Sequence, residues 1–175
     1  MIILITGTTH TGKTLLAQKL LEKYKYPYLS LDHLKMGLIR GHITNLSVYD
    51  DDKLTDYMWP IVEGIIKTAI ENKQNLIIEG CYIPINWKSG FNKEYLENIK
   101  FICLAYDKEY ITKSFSKIVK YGDIIEKRIS NDLVLDDLIK DNQRYIERFS
   151  DDILMIKDNY EETIDDFINQ FECKE

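Results

Sequence analysis

Cysteine is scarce in this chain: Cys81, Cys103 and Cys173 are an odd number without the paired spacing of a metal centre. Cys81 and Cys103 fall in predicted strand regions, where a thiol is a small apolar side chain, and a reducing compartment suits all three. No apolar run is long enough to span a bilayer. The opening residues enter a predicted strand at once, leaving no room for a signal peptide, so the expectation is a cytoplasmic protein with no membrane partner. Repeats, low-complexity tracts and Gly/Ser/Pro-rich linkers are missing, and 175 residues read as one domain over 1–175. The net charge of −6 is spread along the chain rather than gathered in a tail, which argues against a nucleic-acid partner.

What is present begins at the amino terminus. Gly7-Thr8-Thr9-His10-Thr11-Gly12-Lys13-Thr14 fits the phosphate-loop pattern G-x-x-x-x-G-K-[ST] at every specified position. It follows the β-branched apolar run Met1 to Thr6 and precedes Leu15 to Lys25, where leucines recur at helical spacing. Gly7 and Gly12 let the backbone turn tightly with its N–H groups inward, and the helix starting near Lys13 adds its positive end. A polyphosphate is the ligand such a nest takes. Lys13 reaches the β- and γ-phosphates of ATP, and the Thr14 hydroxyl ligates Mg²⁺. The variable positions, Thr8, Thr9, His10 and Thr11, supply mainly backbone contacts.

Four more strands are predicted. Pro27 to Leu31 reads as a strand ending at Asp32, followed by a short helix over His33 to Ile39 and a polar stretch from Gly41 to Asp50. Asp51 to Lys73 has helical periodicity that Pro60 should kink or divide. Asn75 to Glu79 is a third strand, and Cys81 to Tyr95 a loop with one helical turn at most. Lys100 to Ala105 is a fourth strand and Lys108 to Lys120 a helix that breaks near Gly122 and restarts over Asp123 to Arg128. Asp136 to Phe149 is a charged helix, Ile153 to Ile156 a fifth strand, and Glu161 to Phe171 a terminal helix. Strands alternating with helices behind a phosphate loop predict a doubly wound α/β domain with a parallel sheet and right-handed crossovers. Ligands then bind outside the carboxyl ends of the strands, where Asp32, Glu79 and the loop all lie.

This layout resembles the small P-loop kinases, the group that includes nucleoside monophosphate, shikimate and gluconate kinases and antibiotic and sugar-nucleotide phosphotransferases. Within it, the run Tyr28 to Arg40 is similar to small bacterial ATP-binding proteins described as adenylate-kinase-like or 2-phosphoglycerate-kinase-like. The resemblance covers nearly the whole chain, and only the loop is sharply specific. It implies a five-stranded P-loop NTPase-type sheet of order 2-3-1-4-5 with helices on both faces. It also implies an acceptor-binding helical segment over 33–73 and a lid over about 110–130. The activity implied is transfer of the γ-phosphoryl group of ATP, with Mg²⁺, to a small-molecule hydroxyl or phosphate. Glu79-Gly80 resembles the Asp-Gly pair of adenylate kinases, but Cys81-Tyr82-Ile83-Pro84 lacks their following arginine, so the likeness does not extend to AMP as acceptor. The Asn-Lys-x-Asp base-reading motif of GTPases is missing too.

Each candidate residue also has an ordinary reading. Asp32 is a general base or orienter of the acceptor hydroxyl, or the N-cap of a helix beginning at His33. Glu79 orients Mg²⁺-bound water or polarises the attacking group, or is a loop carboxylate. Arg128 fits the arginine after the lid helix that stabilises charge in transfer, or is a surface arginine paired with Glu126 or Asp132. Arg144 and Arg148, one helical turn apart, are further phosphate contacts or solvated charges. Lys35 and Arg40 bind an anionic acceptor or are solvated. Tyr57, Trp59 and Trp87 line an acceptor pocket or pack the core. A reading of a different kind, a nucleotide-gated binding module that holds ATP without phosphorylating an acceptor, fits the same loop.

Overall fold

The computed structural model describes residues 1–122 and 133–170. Its strands are β1 (Ile2–Gly7), β2 (Tyr28–Ser30), β3 (Leu76–Glu79), β4 (Ile99–Tyr106) and β5 (Ile153–Ile156). They form one parallel sheet in the order β2-β3-β1-β4-β5, the order the resemblance implied. The helices are α1 (Lys13–Tyr24), α2 (Leu31–Arg40), α3 (Asp51–Glu71), α4 (Lys93–Leu96), α5 (Lys108–Tyr121), α6 (Leu135–Arg148) and α7 (Tyr160–Gln170).

The central strand shows why helices cover both faces. Successive side chains of a strand point to opposite sides. Ile2 and Leu4 pack with Leu54, Met58, Val62 and Ile66 of α3, and with Phe149 just beyond α6. Ile3 and Ile5 pack with Leu16, Ala17 and Leu20 of α1 and with Ile164 and Ile168 of α7. All four β1 side chains are fully buried, as a parallel strand covered on both faces requires. Register then positions the chemistry: Glu79 pairs with Ile5, and Gly7 with Leu104, so both acid and loop emerge at the carboxyl ends of neighbouring strands.

Three local expectations are corrected. β2 stops at Ser30 and α2 begins at Leu31, so Asp32 sits in the first helical turn rather than at a strand end, and Ser30 holds the N-cap position. α3 is not divided at Pro60 but runs through it as one helix. Pro60 lies on its exposed side, where water can satisfy the carbonyl one turn earlier, while Met58, Trp59 and Val62 keep the helix pinned to the sheet. The stretch after Glu79 holds two short turns of helix, Trp87–Gly90 and α4, the second capped by the Asn92 side chain accepting from the Tyr95 amide at 3.0 Å. Trp59 and Trp87 are buried in the core, and Tyr57 donates to the Ile43 carbonyl at 3.1 Å. Among the described residues, no helix is long and apolar enough to cross a membrane.

Candidate active site

The phosphate loop and both acids open into a cavity of about 1600 Å³ at the carboxyl edge of the sheet. Gly12 has φ +78° and leads directly into α1, so the helix N-terminus faces the loop interior. Lys13 is buried, and its ammonium donates to the Thr8 carbonyl at 2.9 Å, spanning the loop where phosphate oxygens would compete for it. Thr14 Oγ1 donates to Glu79 Oε2 at 3.4 Å. This pairing tests the expected metal. One hydroxyl and one carboxylate are hard oxygen donors, and among the described residues no group of three or more His, Cys, Asp or Glu is assembled. Such a set fits Mg²⁺, which keeps most of its waters and takes the rest of its ligands from phosphate.

The opposite wall of the cavity is built by α2, the start of α3 and the segment after β3. Lys35 pairs with Asp32 at 3.3 Å and donates to the Tyr82 hydroxyl at 2.5 Å, and Tyr82 donates to Asp51 at 3.0 Å. Four residues from three elements thus form one chain of contacts. Burial, with Asp51 and Asp32 nearby, pushes the Tyr82 phenol up, so it stays protonated and able to donate. Asp50 is held ionised down to about 2 by the Ser47 amide and hydroxyl and by Lys53.

α6 forms the side nearest the loop. The Thr8 hydroxyl donates to the Asp141 carboxylate. Asn142 clamps Tyr106 of β4, donating to its carbonyl and accepting from its amide, each at 2.8 Å. Arg144 and Arg148 follow on the same helix and line the cavity. The Tyr145 hydroxyl donates to the Cys81 carbonyl at 3.3 Å, fixing α6 against the turn after Glu79.

Of the residues singled out in the sequence, the structure brings Lys13, Thr14, Asp32, Lys35, Glu79, Arg144 and Arg148 to this cavity. Thr9, His10 and Gly12 line it as well. Arg40 does not: it ends α2, exposed, away from the cavity. Lys35 is present, with its ammonium on Asp32 at 3.3 Å and on the Tyr82 hydroxyl at 2.5 Å. Arg128 and the rest of the restarted helix lie outside the described residues, as does Cys173. Sequence reading missed Tyr82, Tyr106, Asp141 and Tyr160. Tyr106 is the last residue of β4 and Tyr160 the first of α7, so the strand-end rule that singled out Asp32 and Glu79 points to them as well.

No protein-family model matches the chain, and no curated protein matches it by sequence. Solved structures do. A gluconokinase from Sinorhizobium meliloti 1021 superposes with TM-score 0.57 at 13% identity, over 95% of this chain and 89% of that one. A shikimate kinase from Bacteroides thetaiotaomicron gives 0.55 at 15% identity over 97% of both chains. A deoxyadenosine kinase from M. mycoides gives 0.51 at 16% identity, over 97% and 98%. The chain therefore has the fold of the small P-loop kinases, a five-stranded parallel sheet of order 2-3-1-4-5 opening on a phosphate loop.

Proposed function

We propose that this chain is a small-molecule kinase that transfers the γ-phosphoryl group of Mg²⁺-ATP to a hydroxyl. The observation that carries this reading is the common cavity, in which Lys13 and Thr14 of the loop stand with Asp32 and Glu79. Mg²⁺, when bound, would supply positive charge that offsets the charge on the phosphoryl oxygens. Thr14 and Glu79 would hold it, and Lys13 would exchange the Thr8 carbonyl for phosphate oxygens. Asp32, held by Lys35, accepts the proton of the acceptor hydroxyl as its oxygen bonds to phosphorus and the bond to the ADP oxygen breaks. Arg144 and Arg148 face the cavity from α6 and supply positive charge toward the migrating group.

The acceptor wall supports a narrower statement. From α2, the start of α3 and the residue before it, the cavity takes Asp32, Asp50, Asp51, Asp52 and Asp56 against Lys35 and Lys53. Both lysines are already paired, with Asp32 and Asp50. A negative wall repels carboxylate and phosphate, so the acceptor we favour is an uncharged or cationic alcohol.

Acceptor-dependent ADP release over glucosamine, glucose, gluconate and glucose 6-phosphate tests both levels. Turnover that Lys13→Ala and Asp32→Asn abolish supports the kinase, and a preference for the amine or the neutral sugar supports the narrower claim. Tight ATP binding with no turnover stimulated by any hydroxyl compound would favour the nucleotide-gated binding module instead.

A further inference from the structure

The back of the phosphate loop is held by side chains from distant parts of the chain. The Tyr106 hydroxyl donates to the His10 carbonyl at 2.8 Å, and the Tyr160 hydroxyl donates to the Gly12 carbonyl at 2.8 Å. Thr11 Oγ1 and Lys13 Nζ converge on the Thr8 carbonyl at 2.7 and 2.9 Å. In a trans peptide the carbonyl and the next N–H point in opposite directions. Turning the His10 carbonyl onto Tyr106 therefore turns the Thr11 amide the other way, and Tyr160 joins the Leu16 amide, 2.9 Å from the same oxygen, in turning the Gly12 carbonyl away from the direction of the Lys13 amide. The Thr11 amide makes a long 3.4 Å contact to the Thr8 carbonyl. Inward amides of this kind make an anion nest.

Both tyrosines are built into place. Tyr106 is 4% exposed, stacks on Tyr110 at 5.4 Å and 18°, and is clamped through its backbone by Asn142. Tyr160 packs against Gly12 so closely that a Cβ there would fall 2.2 Å from its hydroxyl. Burial raises the pKa of both phenols, so both remain donors at any pH a cell reaches.

We infer that Tyr106 and Tyr160 are positioning residues for the phosphate loop, their hydroxyls setting the peptide orientation that lets its amides grip a polyphosphate. The inference rests on reading the loop as the nucleotide site of a kinase. Calorimetric titration of the full chain with inorganic tripolyphosphate and Mg²⁺, and amide NMR of the same samples, test it. Wild type, Tyr106→Phe, Tyr160→Phe and Lys13→Ala are compared; phenylalanine keeps each ring and deletes only the donor. Each phenylalanine variant is expected to bind about tenfold more weakly, the effect of one buried hydrogen bond. At saturation the Thr11 and Lys13 amide protons should also move downfield less than in wild type. A general loosening of the fold would lower affinity without changing the shift of the saturated state. The inference is overturned if both variants bind within twofold of wild type, or if the saturated amide shifts are unchanged. If wild type and Lys13→Ala bind tripolyphosphate alike, the kinase reading fails and the role of the tyrosines falls with it.

Discussion

Asn142 and Tyr106 are joined by two 2.8 Å hydrogen bonds, side-chain amide to backbone, although 36 residues separate them. The pair is buried and fastens α6 to the end of β4 as another strand would. Replacing Asn142 by Leu leaves a buried N–H and a buried carbonyl without partners. We expect a loss of about 2–6 kcal/mol, since each such group costs about 1–3 kcal/mol. Chemical denaturation of the purified variant measures it, and loss under 1 kcal/mol would show that the clamp is dispensable.

The two loop glycines differ in what surrounds them. A Cβ on Gly7 would lie 2.3 Å from the Leu104 carbonyl, which belongs to the neighbouring strand and cannot withdraw. A Cβ on Gly12 would meet the tip of the Tyr160 side chain, which can rotate. Both residues have positive φ, worth about 1–3 kcal/mol of strain for alanine. Gly7→Ala is expected to lower the melting temperature clearly more than Gly12→Ala, whereas Gly12→Ala should damage ATP affinity more than its stability loss suggests. Thermal unfolding and ATP titration of both variants decide the order.

Asp32 pairs with Lys35 at 3.3 Å and stands in the first turn of α2, where Ser30 holds the N-cap position without a side-chain cap hydrogen bond. Asp32→Asn keeps the shape and removes the proposed proton acceptor. Its kcat should fall by about 10²–10⁴. Its Kd for Mg²⁺-ATP should stay within about threefold of wild type, because Asp32 stands on α2 and the triphosphate on the loop. A variant that loses ATP affinity and keeps kcat would move Asp32 out of the transfer step.

Alkaline pH should destabilise the fold through Cys103. Its thiol is buried and its pKa is pushed from the ordinary 9.0 up to about 12. Between those values the folded chain keeps a proton that the unfolded chain releases, so stability is complete below pH 9 and declines as pH rises toward 12. The phenols of Tyr106, Tyr145 and Tyr160, also raised by burial, add to the slope above pH 10. Denaturation midpoints from pH 7 to 10.5 should be level and then fall. Cys103→Ala, though weaker overall, should fall later.

Most of the architecture was legible because it is written locally. The loop motif fixes a strand before it and a helix after it, and Leu76 to Glu79 or Phe101 to Ala105 can hardly be anything but buried strands. Asp32 and Glu79 could be placed at the crevice by the strand-end rule alone. Three things were not local. Pro60 marks a break in any isolated helix, and only the core under Met58 and Val62 overrides it. The hydrogen bond that steers Lys35 onto the Tyr82 hydroxyl joins residues 47 apart. The strand-end rule brings Tyr106 and Tyr160 to the crevice, but nothing near either names its partner, which lies 96 and 148 residues earlier. Register and topology create those meetings, and periodicity carries no trace of them.

The hydroxyl of Tyr160 reaching the carbonyl of Gly12 gives the assembly a temporal order. A ribosome makes the loop well before the tyrosine, and Lys19 and Lys23 of α1 likewise wait for Asp165 and Ile168 of α7. A nascent chain halted before residue 160 would own the loop's letters without its shape. The loop's full set of hydrogen bonds would therefore close only once α7 has been made and docked.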